Sequence, residues 1–218
     1  MRLALPILLA SASFLAILFR GPLASGTGTR VVPLPVGTNP GGAGAGTALQ
    51  PAPGHQLAIF AQGCFWGTEY RFRQVPGVVA TAVGYTGGTT TSPTYEQVSD
   101  HGMGHAESVL IEFDPAKVSY ARLLEIFWSS HDSTSSNRQG PDLGSQYRSA
   151  IFTFDAQQQA QAGASRDAEQ RKLVDPITTE IAPVGRFWIA EDYHQQWDEK
   201  HERESCPLPR HAKTRSGS

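Results

Sequence analysis

The composition of the chain changes abruptly near residue 55, and this change limits what can fold. The preceding residues are rich in Gly, Pro, Ala and Thr, with the run GGAGAG at residues 41–46 and almost no charged or aromatic side chains. Such a segment cannot bury enough apolar surface to offset the loss of chain entropy. We therefore predict a disordered linker over residues 26–54, followed by one folded domain of roughly 150 residues.

Residues 1–25 have the features of an export segment. A basic residue, Arg2, precedes an apolar run of about 17 residues, Leu3–Phe19, a length between a signal-peptide core and a minimal membrane span. The small residues in Leu23–Ser25 offer a cleavage site, whereas Arg20 favours an uncleaved anchor. We predict a signal peptide or a membrane anchor, with the domain exported to a periplasmic space or held on the membrane facing outward.

Charge excludes one class of partner. The chain has 18 Lys and Arg residues against 20 Asp and Glu, and the basic residues are scattered. A nucleic-acid interface needs a clustered basic surface. We therefore expect no nucleic-acid partner.

The pattern after residue 55 alternates between strand and helix periods. Strands are predicted at residues 57–61, 78–85, 106–113, 148–154 and 178–182, and helices at 65–74, 120–128, 156–173 and 190–203. In the third strand Ser108, Leu110 and Glu112 alternate with apolar residues, which predicts one face in water. The order predicts an α/β (α+β) fold, a two-layer sandwich with a mixed sheet and helices packed on it.

Two cysteines, Cys64 and Cys206, leave two interpretations open. They form no CxxC pair and cannot supply a cysteine-rich zinc site. A structural disulfide is common in exported proteins, and a redox couple that is made and broken during turnover is the alternative.

Cys64 lies where a predicted strand passes into a predicted helix. The unpaired N–H groups and the dipole at a helix N-terminus stabilise a thiolate, which lowers the pKa of such a cysteine and makes it a nucleophile. The alternative is an inert, buried cysteine packed beside Phe65 and Trp66.

Six short motifs, in the same order along the chain, resemble those of the A-class methionine sulfoxide reductases. They are GCFWG at 63–67, GYTGG at 84–88, YEQV at 95–98, GHAE at 104–107, the segment 131–149 with HD, NRQG and QYRS, and AEDYHQ at 190–195. The resemblance runs from about residue 59 to 194. It implies a peptide-methionine (S)-S-oxide reductase domain, which we place over residues 55–210, with a ferredoxin-like core. We also predict a disordered tail over residues 211–218.

The resemblance also implies roles for individual residues. Cys64 is the expected nucleophile and Glu107 the acid, Tyr95 and Tyr147 hold the sulfoxide oxygen, Asp142 joins their polar network, and Phe65 and Trp66 receive the methyl group. An acid of this kind needs a raised pKa, which a partly buried apolar pocket provides. Without the motif, a solvent-facing carboxylate on a strand is the more common state of a Glu.

The implied cycle leaves Cys64 as a sulfenic acid, which condenses with a second thiol. Cys206 is the expected resolving cysteine, and a thioredoxin-like protein is the expected external dithiol. The segment around Cys206 matches the family pattern loosely, and Ser133 stands where the family usually has Pro. We expect no cofactor and no metal, a monomer, and oxidised proteins, peptides or free methionine sulfoxide as substrates. The alternatives are another thiol reductase or a thiol peroxidase, and an exported binding domain with a structural disulfide.

Overall fold

The computed structural model describes residues 39–44, 46, 48–100, 103–201 and 213–214. The strands are β1 Gln56–Gln62, β2 Val78–Thr86, β3 Ala106–Phe113, β4 Arg138–Gln139, β5 Asp142–Leu143, β6 Ser149–Thr153, β7 Glu180–Pro183 and β8 Trp188–Ile189. The α-helices are α1 Phe65–Arg73, α2 Tyr95–Ser99, α3 Tyr120–Ser129, α4 Ala156–Gln170 and α5 Trp197–Lys200, and two short 3-10 turns lie at Pro40–Gly42 and Ser145–Tyr147.

Six strands form one mixed sheet in the order β7-β6-β1-β3-β2-β8. Neighbouring strands are antiparallel except β6 and β7, which are parallel. The prediction of a mixed sheet with helices packed on it is confirmed. The four inner strands of the sheet are β6, β1, β3 and β2, and along the chain they follow the order β-α-β-β-α-β. The finer description of the core as ferredoxin-like stays a prediction.

One face of the sheet is covered by α1, α3 and α4. The ring of Phe60 in β1 lies 5.2 Å from Phe72 of α1 and 5.2 Å from Phe127 of α3. All three side chains are fully buried, and each burial contributes roughly 1.5–3 kcal/mol. This core fixes α1, and with it the residue that precedes α1, against the end of β1.

The other face of the sheet is covered by irregular segments rather than helices. Ala43, Leu49 and Phe187 pack there on Ile59 and Leu110. Consequently all eight residues of β3 are buried, and the prediction that one face of this strand meets water is wrong. Period-two alternation reports polarity on one face, but here other segments cover that face. Glu112 bonds one of these segments, and Ser108 bonds the carbonyl of Ala106 in its own strand.

Glu112 shows how the second face is closed. Its carboxylate accepts hydrogen bonds from the backbone N–H groups of Gly41 at 2.8 Å and Ala52 at 3.0 Å, and it lies 2.8 Å from Nδ1 of His55. We call residues 39–55, as far as they are described, the strap. Residues 39–54 of the strap belong to the predicted linker, yet their described part packs on the sheet, because a buried carboxylate supplies the binding energy that the composition of the segment lacks. Residues 1–38, including the predicted signal peptide or anchor, lie outside the described residues.

The end of the chain also differs from its prediction. Instead of one helix over residues 190–203, turns lead to the four-residue α5, because the side chain of Gln195 bonds both the N–H and the C=O of Val83 and Gln196 adopts a φ of 51°. Within the predicted disordered tail, Lys213 accepts a hydrogen bond from the N–H of Val174. Across the described part of the chain, none of the helices combines the length and apolarity needed to span a bilayer.

We expect Glu112→Gln to destabilise the domain by about 1–3 kcal/mol, because an amide cannot accept from all three strap donors. Hydrogen bonds from the strap outweigh burial and hold the pKa of Glu112 below its usual value. Because the pKa of Glu112 is lower in the folded than in the unfolded protein, its ionised carboxylate stabilises the fold. This stabilisation is complete above the pKa of the unfolded state and is lost as the pH falls through the pKa of the folded state. Urea unfolding at pH 7 and at acid pH measures this. Glu125→Gln, on the exposed side of α3, is the control, and equal losses from the two variants would contradict the role of the strap.

Candidate functional site

Cys64 lies at the junction between β1 and α1, as predicted. Its carbonyl accepts hydrogen bonds from the N–H of Thr68 at 3.4 Å and from its hydroxyl at 3.0 Å, which starts the first helical turn. Gly63 has a φ of 93°, and a Cβ on it would stand 2.6 Å from the Cβ of Gln139. Only glycine fits there. The half-buried Cys64 is thus held at the N-terminus of a nine-residue helix.

Glu107 lies beside the nucleophile position. Its side chain is at the start of β3, the residue is 2% exposed, and Oε2 accepts a hydrogen bond of 3.1 Å from the N–H of Phe65. The interpretation of Glu107 as a solvent-facing carboxylate is therefore wrong. Burial favours the neutral carboxylic acid, whereas the hydrogen bond from the backbone favours the carboxylate. The acid role of Glu107 stays a prediction, now with a location that suits it.

Tyr95 and Tyr147 converge on the same place from different segments. Burial raises the pKa of the Tyr147 hydroxyl well above its usual range, and the nearby charges of Glu107, Asp142 and Cys64 raise it further. Burial and Glu107 also raise the pKa of Tyr95, while a hydrogen bond between the two tyrosine side chains opposes this. Both hydroxyls therefore keep their protons at neutral pH and can donate hydrogen bonds.

Asp142 reaches the site on the β4-β5 hairpin. It is half-buried, and burial raises the pKa of its carboxyl group. The hairpin is held by Gln139, whose amide accepts from the N–H of Asp132 at 3.2 Å and donates to its carbonyl at 2.7 Å. Gln139 also packs over Gly63. The hairpin thus positions Asp142 near Tyr147, and Tyr147 lies within electrostatic reach of the other four polar residues predicted for the described part of the site.

Phe65 and Trp66 form an aromatic side of the site. Phe65 is buried with its ring 5.9 Å from that of Tyr85, and Trp66 is half-buried. The indole of Trp66 stacks on Trp197 of α5 with centroids 4.4 Å apart and planes 12° from parallel. Its N–H donates a 2.9 Å hydrogen bond to Nδ1 of His194. The indole is therefore fixed on two sides.

His194 and Glu191 are site residues that the sequence reasoning did not assign. Burial lowers the pKa of His194, although the nearby carboxylate of Glu191 acts in the opposite direction. The imidazole is therefore neutral, and its Nδ1 accepts the hydrogen bond from Trp66. Glu191 accepts from the Tyr85 hydroxyl at 3.0 Å and from the N–H of Tyr95 at 2.9 Å. Both residues belong to the motif AEDYHQ, the one signal that pointed to them.

Glu69 lies about one helical turn from Cys64 in the sequence, and we predict that it bonds a nearby backbone group or an Arg rather than acting as the acid. It is fully buried and accepts from the backbone N–H of Gln196 at 2.7 Å and from the hydroxyl of Thr81 at 2.8 Å. The structural role is confirmed. This network ties the segment that carries His194 and Trp197 to α1.

Cys206 lies outside the described residues, so its pairing with Cys64 stays a prediction. Among the residues with described positions, no group of three or more His, Cys, Asp or Glu side chains is placed to hold a metal ion. The chemistry that the described site can supply is a half-buried thiol at a helix N-terminus, a buried carboxyl group beside it, and two protonated tyrosine hydroxyls.

Comparisons with known proteins agree with these features. A family model described as peptide methionine sulfoxide reductase matches residues 56–217. The peptide methionine sulfoxide reductase MsrA of Methanosarcina acetivorans is 57% identical over 152 residues, which cover 69% of this chain and 81% of that protein.

Solved structures agree as well. Mxr1 from Saccharomyces cerevisiae in reduced form is 31% identical with a TM-score of 0.69, covering 74% of this chain and 95% of that one. Methionine sulfoxide reductase A of Corynebacterium diphtheriae is 35% identical with a TM-score of 0.67, covering 82% and 94%. The structure of Mxr1 in complex with Trx2, at 23% identity and a TM-score of 0.52, supports the shared fold alone.

We expect Glu107→Gln to slow sulfoxide reduction by roughly a hundredfold to ten-thousandfold, because the amide cannot protonate a leaving oxygen. The change is nearly isosteric and keeps an acceptor for the N–H of Phe65, so the fold should survive, as circular dichroism checks. Turnover with dithiothreitol between pH 6 and 9 measures the effect, with Glu125→Gln as a matched control. Unchanged turnover over that pH range would contradict the acid role and would leave Glu107 with a structural role only.

Proposed function

The chain belongs to the peptide methionine sulfoxide reductase family, and from this premise we propose that it reduces methionine S-sulfoxide to methionine with electrons from thiols. Substrates are oxidised proteins and peptides and the free amino acid, so the activity repairs oxidative damage. The observation that carries the proposal is the hydrogen bond from the N–H of Phe65 to Glu107, because it holds a buried carboxyl group beside the nucleophile.

In the proposed first step, the thiolate of Cys64 attacks the sulfoxide sulfur. The S–O bond breaks, oxygen passes to the cysteine sulfur, and methionine leaves with its sulfur reduced by two electrons. An unprotonated oxygen is a poor leaving group, so Glu107 protonates the sulfoxide oxygen while the S–O bond breaks and negative charge develops on that oxygen. Cys64 ends as a sulfenic acid.

The hydroxyls of Tyr95 and Tyr147 serve this step as donors. Their raised pKa values keep them protonated at neutral pH, so both can hydrogen-bond the sulfoxide oxygen as its negative charge grows. Preorganised donors of this kind stabilise a transition state without reorganisation. Asp142 adds to the polar side of the same network.

The aromatic side receives the methyl group of the sulfoxide. Trp66 is held by its stack on Trp197 and its hydrogen bond to His194, and Phe65 closes the base. With donors on one side and aromatic carbon on the other, only one arrangement of oxygen and methyl about the sulfur fits. This asymmetry supports selection of one epimer at sulfur, and the family resemblance implies that it is the S epimer.

We propose that Cys206 completes the cycle. Its thiol condenses with the sulfenic acid of Cys64, which releases water and forms a disulfide, and a thioredoxin-like dithiol then reduces that disulfide and is itself oxidised. Both sulfurs return to thiols, so no bound cofactor is needed.

We further propose that the domain is exported, either with a cleaved leader or on an uncleaved anchor, and that it is a monomer. The apolar run at Leu3–Phe19 supports export. Fractionation of cells that express the full chain tests the location, and recovery of the full-length protein in the cytoplasm would contradict it. Light scattering on the purified protein tests the monomer.

The function is tested by turnover of a methionine sulfoxide peptide with dithiothreitol. Wild type should release methionine, and Cys64→Ser should lose all activity, because a hydroxyl is a far poorer nucleophile at neutral pH than a thiolate. Hydrogen peroxide as an alternative substrate separates a reductase from a thiol peroxidase, which needs no methionine-shaped pocket. More than trace activity in Cys64→Ser, or a preference for peroxide, would overturn the proposal.

We expect Cys206→Ser to release about one methionine per active site when a thioredoxin-like protein is the reductant. The first step needs only Cys64 and Glu107, whereas recycling through a disulfide needs a second sulfur. The measurement is the stoichiometry of methionine in the first turnover and afterwards. Full cycling by the variant would mean that the external thiol attacks the sulfenic acid directly.

A further inference from the structure

Part of the strap forms a loop whose two ends are fastened together. The carbonyl of Gly41 accepts a 2.8 Å hydrogen bond from the N–H of Gln50. Glu112 holds both ends on the sheet, because its carboxylate accepts from the N–H groups of Gly41 and Ala52. We call residues 41–50, as far as they are described, the strap loop. A loop with closed ends of this kind can hold its tip in one place.

The tip of the strap loop lies on the indole of Trp188. Gly46 has a φ of 69°, and a Cβ on it would stand 2.6 Å from Cη2 and 2.7 Å from Cζ3 of that indole. Both distances are too short for two carbon atoms, so only glycine lets the backbone approach the ring this closely. Trp188 belongs to β8 and is buried. The strap loop therefore packs directly on this edge strand.

β8 is weakly held by its own hydrogen bonds. Its two residues, Trp188 and Ile189, pair with β2, and among the described residues no strand pairs with its outer side. The N–H of Ala190 adds one hydrogen bond of 3.0 Å to the carbonyl of Val83. So short a strand at the edge of a sheet depends on side-chain packing for its position. The contact with the strap loop supplies such packing.

β8 leads directly into residues that position the site. Trp188 lies opposite Tyr85 in the sheet, and both side chains belong to one buried cluster on the same face. The Tyr85 hydroxyl donates to Glu191 at 3.0 Å, and Glu191 also accepts from the N–H of Tyr95 at 2.9 Å. Tyr95 begins α2, which has only five residues and therefore takes its position from tertiary contacts. A displacement of β8 thus reaches Tyr95 through Glu191.

We infer that the strap loop is a positioning element of the site, which acts through Trp188 and Glu191 on the hydroxyl of Tyr95. This inference rests on the proposed function, in which that hydroxyl donates to the sulfoxide oxygen. Gly46 and Trp188 are then positioning residues, since they act through Tyr95 and not on the substrate. The unit needed for full activity begins at the strap, so the segment between the apolar leader and the domain also completes the site.

The test compares two glycines of the strap loop. Gly46→Ala adds a methyl group that has no room beside Trp188, whereas a Cβ at Gly42, which has a similar φ of 63°, meets no atom within 4 Å. Both variants therefore carry comparable backbone strain, and only the first disturbs the contact.

The measurement is turnover of a methionine sulfoxide peptide with dithiothreitol. We expect Gly46→Ala to lower kcat about tenfold to a hundredfold relative to Gly42→Ala, because a small displacement of a donor weakens its hold on the transition state. KM should change little. Trp188→Phe lacks the ring atoms that Gly46 contacts and should lower kcat in the same way, so the inference can also be tested without a change in the loop.

A double-mutant cycle separates this role from a merely structural one. Tyr95→Phe removes the hydroxyl on which the strap loop acts, so adding Gly46→Ala to that variant should lower kcat no further. A general loss of structure would instead lower kcat by the same factor with and without the hydroxyl. Urea unfolding checks that Gly46→Ala and Gly42→Ala remain folded under the assay conditions.

Two outcomes would overturn the inference. One is an equal kcat for Gly46→Ala and Gly42→Ala, and the other is a full effect of Gly46→Ala in the Tyr95→Phe variant. Both are observed with a wild-type enzyme that is active. A wild-type enzyme that does not reduce the peptide would instead refute the proposed function itself, so the two failures are distinguishable.

Discussion

The antiparallel pairing of β1 with β3 is the constraint on which the site depends. Because the strands run in opposite directions, the end of β1 lies beside the start of β3. Cys64 follows β1 and Glu107 is in the start of β3, so the two residues meet there. The hydrogen bond from the N–H of Phe65 to Glu107 joins residues that are 42 positions apart in the chain. Two other pairings extend the same edge, since β2 ends opposite the start of β3 and β6 starts opposite the end of β1. Tyr95 follows β2 and Tyr147 precedes β6, so sheet register brings four distant segments together.

Two carboxyl groups, of the half-buried Glu191 and the buried Glu69, hold these segments in place. Glu191 fixes Tyr85 and the start of α2, Glu69 fixes the turn at Gln196, and each carboxylate accepts from backbone N–H as well as from side chains. A buried carboxylate is tolerated only when such donors satisfy it. The same requirement makes the arrangement specific, because a shifted register would leave these groups without partners.

The second face of the sheet shows the same principle at the opposite end of β3. There Glu112 binds the strap, whose Gly-rich sequence has little apolar surface of its own. Covering this face buries Leu110 and Ile59, so that all of β3 and every residue of β1 after Gln56 are interior. Rigid central strands matter for catalysis because a displacement of about 1 Å between reacting groups can cost a hundredfold in rate.

Local sequence determined the parts of this protein that local physics controls. Short apolar runs and helical spacing predicted β1, α1, β2, α3 and α4 to within a few residues, and the motifs identified Cys64, Glu107 and their predicted partners. Tertiary structure decided which face of β3 meets another segment, why the last helix shrinks to α5, and that His194 accepts a hydrogen bond from Trp66. These depend on hydrogen bonds between residues far apart in the chain, such as Gln195 with Val83 and Gly41 with Glu112. Sequence periodicity does not reveal such bonds, because the donor and the acceptor lie far apart in the chain. Only the fold brings the two atoms within about 3 Å of each other.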